Sequence, residues 1–258
     1  GYLYTDFKPQ ISWTLPAFGG FGAKIGLFDP DDVLADTAGF HATEGSSPRV
    51  EAQITYAGDI LNSGIGINLW VDGTYQNTDR TSTEIVTVNN FAADTAGVSL
   101  TAAQRTAMVD DRDDVDSAGV GFGTKLSYQG FAIVASGFYG TAMGIRGQHA
   151  TGTTATGALD DVGTQRNSYG GYLQGTYDFG QGTSAGYSYG GNCLVRTGND
   201  IQTRGVMNCQ TMHSGMIWHN VTDNFRLVAE GGYTEKTWYL ADSDQEDSFG
   251  GVGAFFFW

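Results

Sequence analysis

Ser188 lies at the centre of the sequence Gly186-Tyr187-Ser188-Tyr189-Gly190, which matches the letters of the G-x-S-x-G nucleophile elbow. In that motif the serine sits on a strained turn between a strand and a helix, and acidic and histidine partners follow later in the chain. Here Tyr187 and Tyr189 alternate with small residues and so continue a strand pattern. We interpret the match as a chance occurrence in a strand rich in glycine and tyrosine, and we predict no catalytic residue and no enzyme activity.

The histidines do not form a metal site by their spacing. Of the four, His41, His149, His213 and His219, the last two share one face of a predicted strand. They lie about 20 Å apart at roughly 3.3 Å per residue, which is too far for two ligands of one metal. The acidic run at 110–116 lacks the glycine and terminal glutamate of an EF-hand loop. We therefore predict no metal and no cofactor, although divalent cations shared with anionic lipid head groups remain an alternative at the acidic runs.

The segments that position these residues are strands. Only 16% of the residues are charged, against about 25% in an average soluble domain. No run approaches the 18 or so apolar residues of a transmembrane helix, and no segment of helical length has a convincing 3.6-residue period. Period-two alternation instead predicts about eleven antiparallel strands, at 2–15, 20–28, 49–56, 64–76, 118–128, 131–141, 167–179, 183–192, 209–220, 225–233 and 248–258. The register of 209–220 stays open, because Met216, Ile217 and Trp218 are consecutive apolar residues.

The predicted connections alternate between short and long. Short turns fall near 16–20, 58–64, 129–130, 180–182 and 222–224, and long loops cover 29–47, 78–116, 142–165, 193–209 and 236–247. A transmembrane β-barrel has this arrangement, with short turns on the periplasmic side and long loops outside. Aromatic residues on the apolar faces flank the short turns, as in an interfacial girdle: Trp13, Phe21, Tyr56, Tyr128, Phe131, Tyr177, Phe179 and Phe225. The fold class predicted is thus all-β, an antiparallel transmembrane barrel formed as one domain over residues 1–258.

Two features of the predicted barrel bear on its lumen and its mouth. The polar faces of the strands carry nine charged residues, which a wet lumen accepts and a dry core does not; these candidate pore-lining residues are Lys8, Lys24, Arg49, Glu51, Asp72, Lys125, Asp178, Arg226 and Glu230. Cys193 and Cys209 bracket one long loop at the ends of neighbouring strands. In an oxidising periplasm we expect them to form a disulfide rather than two free thiols.

Two stretches resemble the Gram-negative general (trimeric) porins. The first is YLYTDFKPQISWTLPAFGGFGAKIGLFDP at 2–30, and the second comprises TDNFRLVAEGGYTE at 222–235 and the ending GAFFFW. The resemblance implies a homotrimer in the outer membrane of a Gram-negative bacterium, in contact with lipid and lipopolysaccharide. It also implies an aromatic assembly signal at the C-terminus, where Trp258 stands in place of the usual phenylalanine.

The number of predicted strands leads us to expect a further part of the barrel before Gly1. A single-chain bacterial barrel closes with an even number of strands, and the predicted number here is odd. The start of the chain shows no signal peptide, which is typical of a mature protein or a fragment. The resemblance implies sixteen strands, so these eleven are expected to be the last ones. Five strands and the constriction loop would then precede Gly1.

The functional prediction is a water-filled channel for ions and small polar solutes. The five long loops hold 20 of the 28 acidic residues and 7 of the 13 Lys and Arg residues, a net charge of −13 at the mouth, which favours weak cation selectivity. The overall charge of −15 and the absence of a phosphate-binding loop argue against nucleic acid. Two alternatives remain open: a lipase-like barrel enzyme, for which we find no outward Ser–His pair, and a structural or adhesive barrel with a plugged lumen, which a lining rich in Gly, Ser and Thr disfavours.

Overall fold

The eleven predicted strands are present as one antiparallel sheet. The computed structural model describes residues 8–30, 47–61, 63–79, 114–145, 157–160, 164–198, 200, 206–239 and 244–258. The strands are β1 (Gln10–Thr14), β2 (Phe21–Phe28), β3 (Arg49–Asp59), β4 (Gly66–Asp79), β5 (Asp114–Tyr128), β6 (Phe131–Thr141), β7 (Asn167–Gly180), β8 (Thr183–Val195), β9 (Met207–Thr222), β10 (Phe225–Trp238) and β11 (Gln245–Phe256). No helix among these residues is long and apolar enough to cross a membrane.

Each strand pairs with its neighbours in the sequence, in the order β1 to β11. The first nine connections alternate between short and long as predicted, but the connection between β10 and β11 has only six residues, as many as the turns between β1 and β2 and between β3 and β4. The shortest are the two-residue turns between β5 and β6, between β7 and β8 and between β9 and β10. Gln129 and Gly130 both have positive φ, at 46° and 85°, and Gln181 and Gly182 repeat this at 52° and 79°. Left-handed backbone at both central residues matches the right-handed twist of the flanking strands. These turns therefore fix the register of their hairpins.

Several strands extend beyond their predicted ends. Asp114 and Asp116, which the sequence places in an acidic loop, are the first residues of β5 and lie opposite Asp79 and Asn77 of β4. The Asn77 Nδ2 donates hydrogen bonds to Asp114 at 2.7 Å and to Asp116 at 3.0 Å. These donors compensate the neighbouring carboxylates, so the ladder continues where charge repulsion predicts a loop. Asp110, Asp111 and Asp113 lie outside the described residues.

One face of the sheet exposes large apolar side chains. Ile54, Val71 and Phe122 are cross-strand neighbours on β3, β4 and β5, and their exposed fractions are 61%, 54% and 57%. A contiguous apolar surface of this kind needs an apolar environment. The pairing also settles the register of β9, because Ile217 lies on this outer face and Met216 and Trp218 lie on the other, the inner face.

Aromatic rings lie on the outer face beside the short turns. Phe21 and Tyr56 have ring centroids 4.9 Å apart, and Phe131 and Tyr177 have centroids 4.2 Å apart. Further along the same edge, Phe225 of β10 and Phe256 of β11 stack at 4.7 Å. These contacts join residues of adjacent strands, so they form a belt along the short-turn end of the sheet. Such a belt has the position of the interfacial girdle of a transmembrane barrel.

The two cysteines are joined across neighbouring strands. Cys193 of β8 lies directly opposite Cys209 of β9, and a disulfide connects them over a sequence separation of 16 residues. This agrees with the pairing expected from the sequence. The bond closes the β8–β9 loop at the end of the sheet opposite the aromatic belt.

Replacing both cysteines, as Cys193→Ser with Cys209→Ser, should lower the free energy of unfolding by about 3 kcal/mol, because the disulfide restricts the unfolded chain by closing a loop of this length. Urea titrations of the detergent-solubilised protein, followed by tryptophan fluorescence, measure the change. Reduction of the unmodified protein is the control and should give the same loss. An unchanged urea midpoint for the double variant would contradict the assignment.

Candidate pore lining

The inner face of the sheet carries the charged residues that the sequence assigns to a pore wall. Lys24, Gln53, Asp72 and Gly121 are side-by-side partners across β2 to β5. The same row continues through Phe138, Gly170, Asn192 and Gln210 to β9. Because side chains two residues apart share a face, the registers bring eight of the nine predicted wall residues to this face: Lys24, Arg49, Glu51, Asp72, Lys125, Asp178, Arg226 and Glu230. Their part in a pore remains a prediction.

The ninth predicted residue, Lys8, lies just before β1, and its Nζ donates a hydrogen bond to the Pro30 carbonyl oxygen at 3.0 Å. This contact ties the chain before β1 to the chain that follows β2. The structure thus gives Lys8 a partner at the mouth end of the first hairpin, and its place on the inner face is not fixed by strand pairing.

Several wall charges are held against the sheet by neighbours. The Arg49 Nε is 3.0 Å from Glu51 Oε1, and the Arg49 guanidinium lies 5.1 Å above the Phe28 ring. The Arg226 Nε donates a hydrogen bond to Asn220 Oδ1 at 2.6 Å. On the same wall, the Ser214 hydroxyl donates to Glu230 Oε1 at 2.6 Å. Partners of this kind keep the charged groups in fixed positions along the inner face.

Glycines of β5 make room for large side chains of the neighbouring strand. A Cβ atom at Gly121 would overlap the Asp72 carboxylate, and one at Gly123 would overlap the Trp70 ring. The sequence suggested that glycines leave open space in the lining. The structure shows that these two glycines are covered, because the absence of a Cβ lets Asp72 and Trp70 lie flat across them. They allow these larger side chains to lie close to the inner face of the sheet.

A buried network joins two long loops at the mouth. Arg166 and Asp200 form an ion pair whose side chains are 1% and 0% exposed, and Arg166 Nη1 also donates to the Gly157 carbonyl oxygen at 3.3 Å. The Thr197 amide donates to Asp200 at 2.9 Å, and the Thr197 hydroxyl donates to the Asp160 carboxylate. We call Asp160, Arg166, Thr197 and Asp200 the mouth network. It connects the β6–β7 loop to the β8–β9 loop.

Apolar side chains support this network. Val115 and Leu159 belong to one buried cluster, and Ile145, Leu194 and Val206 belong to a second that packs against Trp238. Sequence reasoning placed 142–165 in an open loop and found none of these contacts. The partners are distant in the chain, with Arg166 and Asp200 separated by 34 residues, so no local pattern could reveal them.

The residues considered for catalysis are not brought together. Ser188 is buried in the middle of β8, where it lies between Gln174 and Ser214 on the inner face. His213 and His219 lie on the outer face, where their Nδ1 atoms contact the Tyr187 hydroxyl at 2.6 Å and the Thr183 hydroxyl at 2.8 Å. Within the described part of the chain, no group of three or more His, Cys, Asp or Glu side chains could hold a metal ion.

Comparison with known proteins adds to this geometry. No family model matches the chain. A search of curated proteins finds no match either. Among solved structures, the outer-membrane channel DcaP of Acinetobacter baumannii is similar with a TM-score of 0.69, 13% sequence identity, 97% of this chain covered and 62% of that chain. A loop L8 deletion mutant of OmpT, an outer-membrane protein of Vibrio cholerae, has a TM-score of 0.50 and 15% identity, with 96% of this chain and 62% of that chain covered. A structure of porin has a TM-score of 0.50 and 14% identity, with 97% and 62% covered.

These similarities define the class of fold. The sheet of eleven antiparallel strands, apolar outside and charged inside, is that of an outer-membrane β-barrel of the porin type. This confirms the fold class predicted from the sequence. The chain spans 62% of the length of the solved structures described above.

Replacing Asp200 with Asn should lower the free energy of unfolding by about 3 to 5 kcal/mol, because the buried Arg166 would lose its charged partner. The control variant is Lys236→Gln. It removes an ion pair of 3.9 Å with Asp247 that is partly open to solvent, and it should cost less than about 1 kcal/mol. Urea titrations of both variants measure the difference. Equal, small losses for the two would show that the mouth network does not hold the loops.

Proposed function

We propose that this chain forms the wall of a water-filled channel in the outer membrane of a Gram-negative bacterium. The proposal rests on one observation, which is that the two faces of a single strand suit different environments. On β4, Val71 is more than half exposed on the outer face, while Asp72 next to it lies on the inner face with Lys24 of β2 in the same row. Charged side chains need water or partners, and exposed apolar side chains need lipid. A barrel with a wet lumen satisfies both.

Similar structures support the same proposal. DcaP is described as an outer-membrane channel, and another similar structure is a porin. The proposal includes closure of the barrel by further strands and a constriction loop outside this sequence, sixteen strands in all, as the resemblance to the general porins implies. It also includes a homotrimer in contact with outer-membrane lipid and lipopolysaccharide, through which ions and small polar solutes diffuse passively without enzyme activity.

A second candidate is a structural barrel whose mouth is closed. The observation that favours it is the mouth network, in which residues of two long loops are buried together at the end of the sheet. Conductance separates the two candidates, because an open lumen passes ions and a closed barrel does not.

The purified full-length protein should produce stepwise conductance in planar lipid bilayers. Under a KCl gradient the reversal potential should show a cation preference near 0.1 M that is weaker near 1 M. The reason is that the segments between strands at 29–48, 80–113, 142–166, 196–206 and 239–244 hold 15 acidic and 7 basic residues, a net charge of −8. This charge concentrates cations over a screening length of about 10 Å at 0.1 M and about 3 Å at 1 M. Bilayers that stay electrically silent at all voltages would exclude the channel. Stepwise conductance with equal selectivity at both salt concentrations would retain the channel and exclude the acidic mouth as the source of selectivity.

Removal of Trp258 should lower the amount of protein in the outer membrane far more than it lowers the stability of the folded barrel. Trp258 is fully exposed, whereas the preceding Phe257 is anchored by Asn224, whose amide Nδ2 donates to the Phe257 carbonyl oxygen at 2.7 Å. Phe257 also lies 5.5 Å beneath the Arg226 guanidinium.

Quantitative immunoblots of outer-membrane fractions and urea titrations of the refolded protein separate the two effects. The matched variant Phe257→Ala keeps the terminal tryptophan and loses the Arg226 contact, so its stability should fall. Normal membrane levels of the protein that lacks Trp258 would rule out an assembly role for this residue.

A further inference from the structure

The inner face contains a recess between β2 and β6, below the mouth. It has a volume of about 370 Å³, and its polar lining includes Lys24, Glu51, Gln53, Asp72 and Thr74. Ligand-binding pockets in proteins have volumes of roughly 300 to 1,000 Å³, so this recess is large enough for a small solute. We propose that it binds small zwitterionic solutes of about dipeptide size, with their carboxylate at Lys24 and their ammonium group at Asp72.

The charged residues of the recess differ in whether another protein group binds them. Glu51 is engaged by Arg49 at 3.0 Å, with Arg49 itself mostly buried. Lys24 and Asp72 have no hydrogen bond or ion pair with another protein group in the described structure, although both lie within the recess. Two opposite charges on one wall that have no partners among the described residues form a site that a solute with both charges can complete.

The spacing of the two charges selects the length of the solute. Lys24 and Asp72 occupy the same row on β2 and β4, with Gln53 of β3 between them. Strands are spaced by about 4.8 Å, so the two Cα atoms are roughly 10 Å apart. Two extended residues span about 7 Å, so a dipeptide brings its termini within reach of both side chains. The Gln53 amide lies between them, where it can hydrogen-bond the peptide group.

Apolar side chains form the remaining walls of the recess. Phe28, Phe138 and Met143 line it together with Gly26 and Gly121. Aromatic and thioether groups provide apolar contact for the body of a solute, while a few polar groups fix its orientation. Gly121 has a specific part, because a Cβ atom there would overlap the Asp72 carboxylate and displace it. The position of the anionic group thus depends on the glycine of the next strand.

This inference rests on the proposed function, because only a lumen open to water gives solutes access to the inner face. It goes beyond passive diffusion in one respect. A channel with a wall site should take up zwitterionic solutes with saturation at low concentration, whereas a simple pore transports them in proportion to their concentration.

The test is equilibrium dialysis of radiolabelled glycylglycine against the full-length protein in detergent. N-acetylglycine and glycinamide are the analogues that carry one charge each. Glycylglycine should bind more tightly than either analogue. Lys24→Met and Asp72→Asn should each weaken its binding about tenfold, as expected for the loss of one charge-assisted hydrogen bond. The double variant Lys24→Asp with Asp72→Lys should recover binding, because the reversed solute fits the reversed charges.

Two matched controls separate the recess from the rest of the wall. Gly121→Ala should weaken binding without changing any charge, whereas Gly251→Ala should not, because a Cβ at Gly251 meets open space. Lys236→Met removes a charge outside the recess and should leave binding unchanged. Measurable binding that is equal in all these variants would overturn the proposal, as would binding of the singly charged analogues as tight as that of glycylglycine.

Conductance of the same preparation in KCl tests the channel separately from the recess. A protein that conducts but does not bind glycylglycine overturns the recess and leaves the channel intact. A protein that does not conduct overturns the channel, and charge-dependent binding of glycylglycine by such a protein would retain the recess alone.

Discussion

The alternation of side chains along each strand is the constraint on which the rest of the structure depends. The backbone groups of a strand bond to those of its neighbours, and the strands pair here in one unbroken order from β1 to β11. Once the backbone is fixed in this way, successive side chains must face opposite environments. A shift of one residue in its register would place Asp72 on the apolar outer face and Val71 on the charged inner face, so the pairing of each strand is set by both of its faces.

On the inner face, charged residues lie close to the sheet. Arg49 lies against Glu51 and the Phe28 ring, and Asp72 lies across Gly121. Arg49 has partners on its own strand and on β2, and Asp72 occupies the space that Gly121 leaves on β5. Glycine contributes by allowing close approach, and the space that it saves is used by a larger side chain. The space left free at the inner face therefore depends on pairs of residues across strands, and the composition of any one strand does not determine it.

Side-chain contacts join the loops at the mouth, whereas backbone hydrogen bonds join the strands of the wall. Above the sheet, two long loops are tied by the buried ion pair of Arg166 and Asp200, by the threonine contacts of the mouth network, and by the apolar clusters beneath them. The disulfide between Cys193 and Cys209 closes the base of one of these loops. The network therefore joins described residues of the two loops to each other at this end of the sheet.

The sequence by itself determined the eleven strands, the short turns, the outer aromatic residues and the pairing of the two cysteines. These features follow from local rules, since period-two alternation and turn residues act over a few positions. Only the tertiary structure decided that Asp114 belongs to a strand, that Ile217 faces outward, that Trp70 covers Gly123, and that Arg166 meets Asp200. Each of these depends on a partner from another strand or loop, whose position is fixed by the assembled sheet and leaves no signal in the local sequence.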